Sequence, residues 1–180
     1  MRRRGVLRAA DPAHSLRIVE TDEAFEERAA SANEADERID ALKGLFDRYH
    51  TMAIAAASTN GDPWVAKVFF IEDEPASGKL DICCALINTS RKLAMIRESG
   101  RVAFVVSGDH PDRWAQGTGS VEVVDDDADG EAIVKRLEGK SPMAGPFLRM
   151  VAWTAVRIHV ERLKYTDITA TPPVTEFTFA

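Results

Sequence analysis

Residues 88–107, NTSRKLAMIRESGRVAFVVS, constrain the fold of this chain more than any other stretch. Thr89 or Ser90 can cap a helix whose apolar positions, Leu93, Met95 and Ile96, fall at helical spacing, and Gly100 is placed to close it. A buried strand over residues 101–106 follows at once. The first N–H groups of a helix are unpaired and the dipole there is positive. Hydroxyls of Thr89 and Ser90 with the cations of Arg91 and Lys92 would therefore make a phosphate cradle. The same residues also describe an ordinary capped helix with solvated charges, and the rest of the chain has to decide between the two.

The flanking segments alternate with the period of strands. MAIAAAS, a turn at TNGD built on Asn60-Gly61, and PWVAKVFFIED make a hairpin. In its second strand Trp64, Ala66, Val68 and Phe70 share one face, and Val65, Lys67, Phe69 and Ile71 share the other. Lys67 is the exception on an apolar face, either a snorkelling edge lysine or a group with a task. KLDICCAL forms a third strand that delivers the chain into Asn88, the strand, loop and helix-start order in which phosphate sites are built.

After residue 107, RWAQGTGSVEVVDD reads as a strand in which Gly117 and Gly119 mark a bulge or a close approach, with Gln116 and Thr118 on one face. Asp129 is expected to cap a helix over residues 131–137, stopped by Gly139, and SPMAGP to be a loop. AWTAVRIHVERLKY closes the series, with Val156, Ile158 and Val160 inward and Arg157, His159 and Glu161 outward. That placement makes His159 a cross-strand surface partner rather than a base. The tail TPPVTEFTFA is apolar enough to pack on something. Ahead of the strands, residues 21–49 read as acidic and helical, with a capping box of Ser31 and Glu34 before Ile39, Leu42, Leu45 and Phe46. About six antiparallel strands, one helix before them, two inserted and no βαβ rhythm describe a mainly β (α+β) chain folded as a small antiparallel barrel.

A chain of 180 residues, 45% of them hydrophobic, suffices for one domain, here residues 31–180, preceded by an N-terminal arm over residues 1–30. A net charge of −6 disfavours nucleic acid and leaves a small phosphorylated ligand held by a local basic site. Cys83 and Cys84 are adjacent in a strand, so they read as reduced structural thiols. They and His14, His50, His110 and His159 lack metal-ligand spacing, and no metal is expected. Without a signal sequence or a long apolar run, the chain reads as cytoplasmic and free of the membrane. No nucleophile elbow, GxxxxGK[ST] or GxGxxG occurs, and no catalytic side chain is singled out.

Ser90-Arg91-Lys92, an apolar Ile96 and Ser99-Gly100-Arg101-Val102-Ala103 before a strand resemble the phosphate segment of the pyridoxamine 5'-phosphate oxidase-like FMN-binding split barrels. The resemblance runs back through Gly61-Asp62-Pro63 and VAKVFF and forward to RWAQGTGSVEV, covering residues 45–165. It implies a six-stranded antiparallel Greek-key split β-barrel with flanking helices. It also implies that Ser90, Arg91 and Lys92 hold the FMN phosphate, that Ala66, Lys67, Val68 and Phe69 lie along the isoalloxazine with their backbone, and that Gln116 reaches the flavin. Lys67, as the one charge in that strand, would stabilise reduced flavin. A homodimer with the cofactor at the subunit interface is implied, with the outward Phe69 and Ile71 as apolar contacts.

The activity implied is that of an FMN-dependent oxidoreductase acting on an unidentified small molecule. The alternative is a non-enzymatic split barrel that binds flavin, the deazaflavin F420 or haem. Three departures point to the superfamily rather than to the vitamin B6 reaction. Ala66 and Ile71 stand where the oxidase has Arg and Lys, Ala85-Leu86 replaces an aromatic-threonine pair, and ERLKYTDITATPP lacks the arginine motif for the substrate phosphate.

Overall fold

A computed structural model describes residues 37–76, 79–109 and 111–179. The expected N-terminal arm and the Ser31/Glu34 capping box lie outside them.

Helix α1 covers residues 37–48 and buries Leu42, Leu45 and Phe46. The hairpin follows as β1 (Thr51–Ala57) and β2 (Pro63–Phe69), turning where Gly61 takes φ 86°. Then come β3 (Ile71–Ala76), β4 (Lys79–Ile87), α2 (Arg91–Ser99) and β5 (Arg101–Ser107). The chain continues through β6 (Arg113–Val123), α3 (Asp127–Lys140), α4 (Ala144–Leu148), β7 (Trp153–Asp167) and β8 (Val174–Thr178). All pairings are antiparallel, in the order β2-β1-β5-β6-β7-β4-β3, with β8 added on β7. The non-consecutive neighbours β1/β5 and β4/β7 give Greek-key connections.

The two ends of that order, β2 and β3, are joined through the single residue Phe70, so the sheet curls round on itself into a split barrel. This corrects the six expected strands to eight. PWVAKVFFIED is two strands, because at Phe70 the chain leaves β1, where its N–H still bonds His50 O at 3.3 Å, and Ile71 starts pairing with Cys83. The tail supplies the other extra strand, and Phe177 and Phe179 pack on the core.

The barrel interior holds Met52, Ile54, Val68, Phe70, Phe104, Val106, Ile82, Leu86 and Ile158, and α1 and α2 add Phe46, Leu93 and Ile96 to it. At about 1.5–3 kcal/mol for each large apolar side chain removed from water, this cluster dominates the fold's stability. A second cluster lies outside the barrel wall, where Ile133 and Leu137 of α3 and Leu148 of α4 cover Ile71, Cys83 and Ala155. The helix α3 is longer than expected. Asp126 rather than Asp129 caps it, accepting the Asp129 N–H at 3.0 Å, and Gly139 lies within it. Part of SPMAGP becomes α4. Strand β5 is half buried rather than buried, with Val102, Phe104 and Val106 inward and Ala103 and Val105 outward. No helix among the described residues is long and apolar enough to cross a membrane.

Candidate functional site

Helix α2 starts where the sequence places it. Ser90 is its N-cap in extended backbone (φ −76°, ψ 139°), and Gly100 ends it at φ 62°, donating its N–H to Ile96 O at 2.8 Å. The incoming loop is pinned to the start of β7: Asn88 N–H donates to Ala152 O at 2.9 Å, and the Thr154 hydroxyl donates to Asn88 Oδ1 at 2.6 Å. Ser90 makes no side-chain cap bond, and its Oγ is buried without a hydrogen-bond partner. The backbone N–H groups of Arg91 and Lys92 are likewise unbonded, and no acid occupies the first turn. A buried hydroxyl left unpaired costs about 1–3 kcal/mol. Here it stands with two free N–H groups and two cations, a donor set that fits the oxygens of a phosphate.

The hairpin turn flanks this helix start. The Arg91 guanidinium carbon lies 5.1 Å from the centre of the Trp64 ring, and Arg91 reaches Asp62 Oδ2 at 3.9 Å. Sequence reading gave Trp64 and Asp62 no site role: Asp62 entered only through Gly61-Asp62-Pro63 and Trp64 only through its strand face. The Lys92 charge partly offsets the burial that pushes the Cys84 thiol up to about 12.

Ala66, Lys67, Val68 and Phe69 run along β2, the last strand of its end of the order, so one row of its backbone groups has no strand partner. Val68 is buried and Ala66 half-buried on the inner side, while Lys67 is exposed on the outer side. Phe69 and Ile71 are not the outward apolar contacts expected. Phe69 packs on Phe147 of α4, ring centres 6.2 Å apart, and Ile71 is buried in the outer cluster. The uncovered face lies instead over β2, β1, β5 and β6. Its registers set Lys67 opposite Ala53, Ala53 opposite Val105 and Val105 opposite Gln116. The next row is Val65, Ala55, Ala103 and Thr118. Val65 is 66% exposed, Trp64 43% and Val105 36%.

Gln116 and Lys67 share the outer face but are three strand spacings apart, about 14 Å. Two neighbouring cavities on this face separate them, one holding Gln116 and the other Ala66 and Lys67, with Ala53, Val65 and Val105 common to both. Within one copy the structure therefore groups Ser90, Arg91 and Lys92 at one end of β2, and leaves Gln116 apart from them.

His159 is a surface cross-strand partner: Nδ1 lies 2.8 Å from Asp81 Oδ1 and Nε2 3.4 Å from Glu122 Oε2. Cys83 and Cys84 are buried free thiols.

No protein-family model matches the sequence, and no curated protein matches it significantly. Solved structures do resemble it. ChuZ from Campylobacter jejuni superposes with a TM-score of 0.65 at 9% identity, covering 79% of this chain, which spans 60% of the length of ChuZ. A putative pyridoxamine 5'-phosphate oxidase from Listeria innocua gives 0.56 at 12% identity over 72% of this chain and 98% of that one. HutZ, the heme storage protein from Vibrio cholerae, gives 0.57 at 11% identity over 68% of this chain and 89% of that one. The likeness shows the fold: the chain has the split-barrel fold of these proteins.

Proposed function

We propose that this chain is an FMN-dependent oxidoreductase acting as a cytoplasmic homodimer on a small molecule, residues 31–180 forming its cofactor-binding domain. The buried Ser90 hydroxyl at the start of α2, without a partner among the described residues, carries the proposal, because it and the free N–H groups beside it are donors that the nearby Asp62 carboxylate, 3.9 Å from Arg91, does not take up. Ser90, Arg91 and Lys92 would hold the phosphate. The unpartnered backbone row of β2 from Ala66 to Phe69 would line the ring, and Gln116 would reach it across the subunit interface. A flavin, when bound, supplies hydride chemistry. The protein's part is binding, orientation and exclusion of water, which needs no acid-base pair of side chains. Lys67 is exposed on the outer face, where an ammonium can stabilise negative charge without the cost of prior burial.

The second reading is a non-enzymatic split barrel that binds flavin, F420 or haem, and the likeness to HutZ favours haem among these. Absorbance of the purified protein and titration with FMN and riboflavin separate the readings. A flavin spectrum, with Arg91→Ala and Lys92→Ala each weakening FMN about tenfold to hundredfold and leaving riboflavin unchanged, is the expected result. A Soret band with no FMN binding would replace it by the haem reading. Equal loss of FMN and riboflavin would remove the phosphate assignment.

A further inference from the structure

A cavity of about 580 Å³ lies on the outer face. Ala55, Ala103, Val105 and Thr118 form its floor, all short side chains, so a flat molecule can lie close against the sheet. Its far rim is β7, where Arg162 and Lys164 are two residues apart and stand opposite Thr118 and Gln116, on the same side of the sheet. Lys164 is engaged by Glu176 at 3.0 Å. The Arg162 side chain is exposed and makes no hydrogen bond or ion pair among the described residues, though with Arg101, whose hydrogen bond is the larger cause, its charge helps hold the neighbouring Glu161 carboxyl below its ordinary range. In a chain of net charge −6, a groove holding two cations and one carboxylate reverses the local sign.

We infer that this groove binds a flat organic monoanion, an aromatic or conjugated carboxylate, with Arg162 taking the carboxylate and the small-residue floor taking the ring. That this anion is the substrate rests on the flavin proposal; the groove and its charge do not. Planar bidentate donors suit a carboxylate, and the Arg162 guanidinium has no side-chain hydrogen bond among the described residues to release first. Lys164, already paired with Glu176, contributes field more than contact. Arg162 is separate from the Ser90-Arg91-Lys92 cradle, so the cofactor's phosphate and the anion have different determinants, while Gln116 lines the groove and is shared with the proposed ring site. Sequence patterning does not announce the groove: period 2 from Val160 would turn Arg162 and Lys164 inward, and the register shift between β6 and β7 at Thr118 and Gly119 is what brings them to the outer face.

The matched probes 2-naphthoate and 2-naphthamide differ in charge and share a ring. Titrated calorimetrically into the parent protein, with and without FMN, naphthoate should bind about tenfold or more tighter than naphthamide, and the preference should shrink as salt rises. Arg162→Gln should abolish the preference, Arg162→Lys should restore part of it, and both variants should keep parental FMN affinity and melting temperature. Equal binding of the two probes by the parent, binding of neither, or a preference that survives Arg162→Gln overturns the inference. So does an Arg162→Gln variant that loses FMN while holding riboflavin, since the groove would then serve the cofactor's phosphate. If Arg91→Ala leaves FMN affinity untouched while the naphthoate preference stands, the flavin reading fails and the anion groove survives it.

Discussion

Arg91 rests its guanidinium over the ring of Trp64, 5.1 Å from carbon to centroid, which ties the start of α2 to the hairpin turn between β1 and β2. Both residues are substantially exposed, so the contact contributes about 0.5–1 kcal/mol and serves orientation more than folding. A guanidinium held over a ring keeps fewer rotamers and loses less freedom on binding an anion.

Replacing the ring should therefore show in binding. Trp64→Leu keeps apolar bulk but removes the π face, and FMN affinity should fall about two- to fivefold with riboflavin unchanged. Fluorescence titration with both ligands checks this, and equal loss of both would mean that Trp64 touches the ring of the ligand rather than positioning Arg91.

Two glycines should answer the same substitution with opposite signs. A Cβ on Gly119 would stand 2.2 Å from His159 O, at the register shift between β6 and β7, so backbone must move. Gly119→Ala should destabilise by about 1–3 kcal/mol or more. Gly44 lies within α1 with nothing within 4 Å of its would-be Cβ, and Gly44→Ala should stabilise by about 0.5–1 kcal/mol. Urea melts of the two variants measure both.

That pair also shows what the sequence disclosed. Glycines inside a strand pattern announce a close approach, and Gly117 and Gly119 were legible for that reason. The corner at Phe70 was not, because apolar alternation runs through it unbroken: Phe70 is buried inside the barrel and Ile71 under the outer helices, so neither face changes character. Burial by α3 and α4 also explains why Phe69 and Ile71 looked outward. Period-2 patterning assigns faces but does not reveal which face another layer covers. The helix α3 began early because residues 125–127 are three successive aspartates, any of which can cap. At the candidate site the Ser90 cap, the helix and Gly100 could be read locally. The approach of Trp64 to Arg91 and the row from Lys67 to Gln116 depend on non-local pairing.

The thiols give a pH dependence. Burial pushes Cys83 up to about 11, with Asp73 adding to the rise, and burial with Cys83 beside it pushes Cys84 up to about 12, from an ordinary 9.0. The folded protein keeps its protons where the unfolded chain releases them, so stability is full below pH 9.0 and falls as the pH climbs through 11. Burial raises Tyr165 too, in the same sense. Equilibrium unfolding across this range should show the decline, and a Cys83→Ala/Cys84→Ala variant should lose less stability between the two ends, whatever its starting value. Native protein should resist thiol alkylation at neutral pH and react after unfolding.

The last prediction concerns the uncovered face. Val65 is 66% exposed on β2, next to Ala55 in register, and it borders both outer cavities. A charge there costs folding little, within about 0.5 kcal/mol, because the site is already solvated in a single copy. If two copies meet through β2, β1 and β5, Val65→Glu instead places a carboxylate in a desolvated contact without a partner, a cost of several kcal/mol. Light scattering should then move from twice 19.8 kDa toward 19.8 kDa while the single copy stays folded, its melt lowered only by the loss of association. Binding should follow assembly. With Gln116 about 14 Å from Lys67 in one copy, the proposed ring site would draw Gln116 from the second copy, and on that reading Val65→Glu should weaken FMN and riboflavin together. Arg91→Ala should do the reverse, remaining dimeric while losing FMN alone. A Val65→Glu protein that stays dimeric and keeps FMN shows that the copies meet elsewhere, and one that becomes monomeric yet keeps FMN shows that a single copy completes the site.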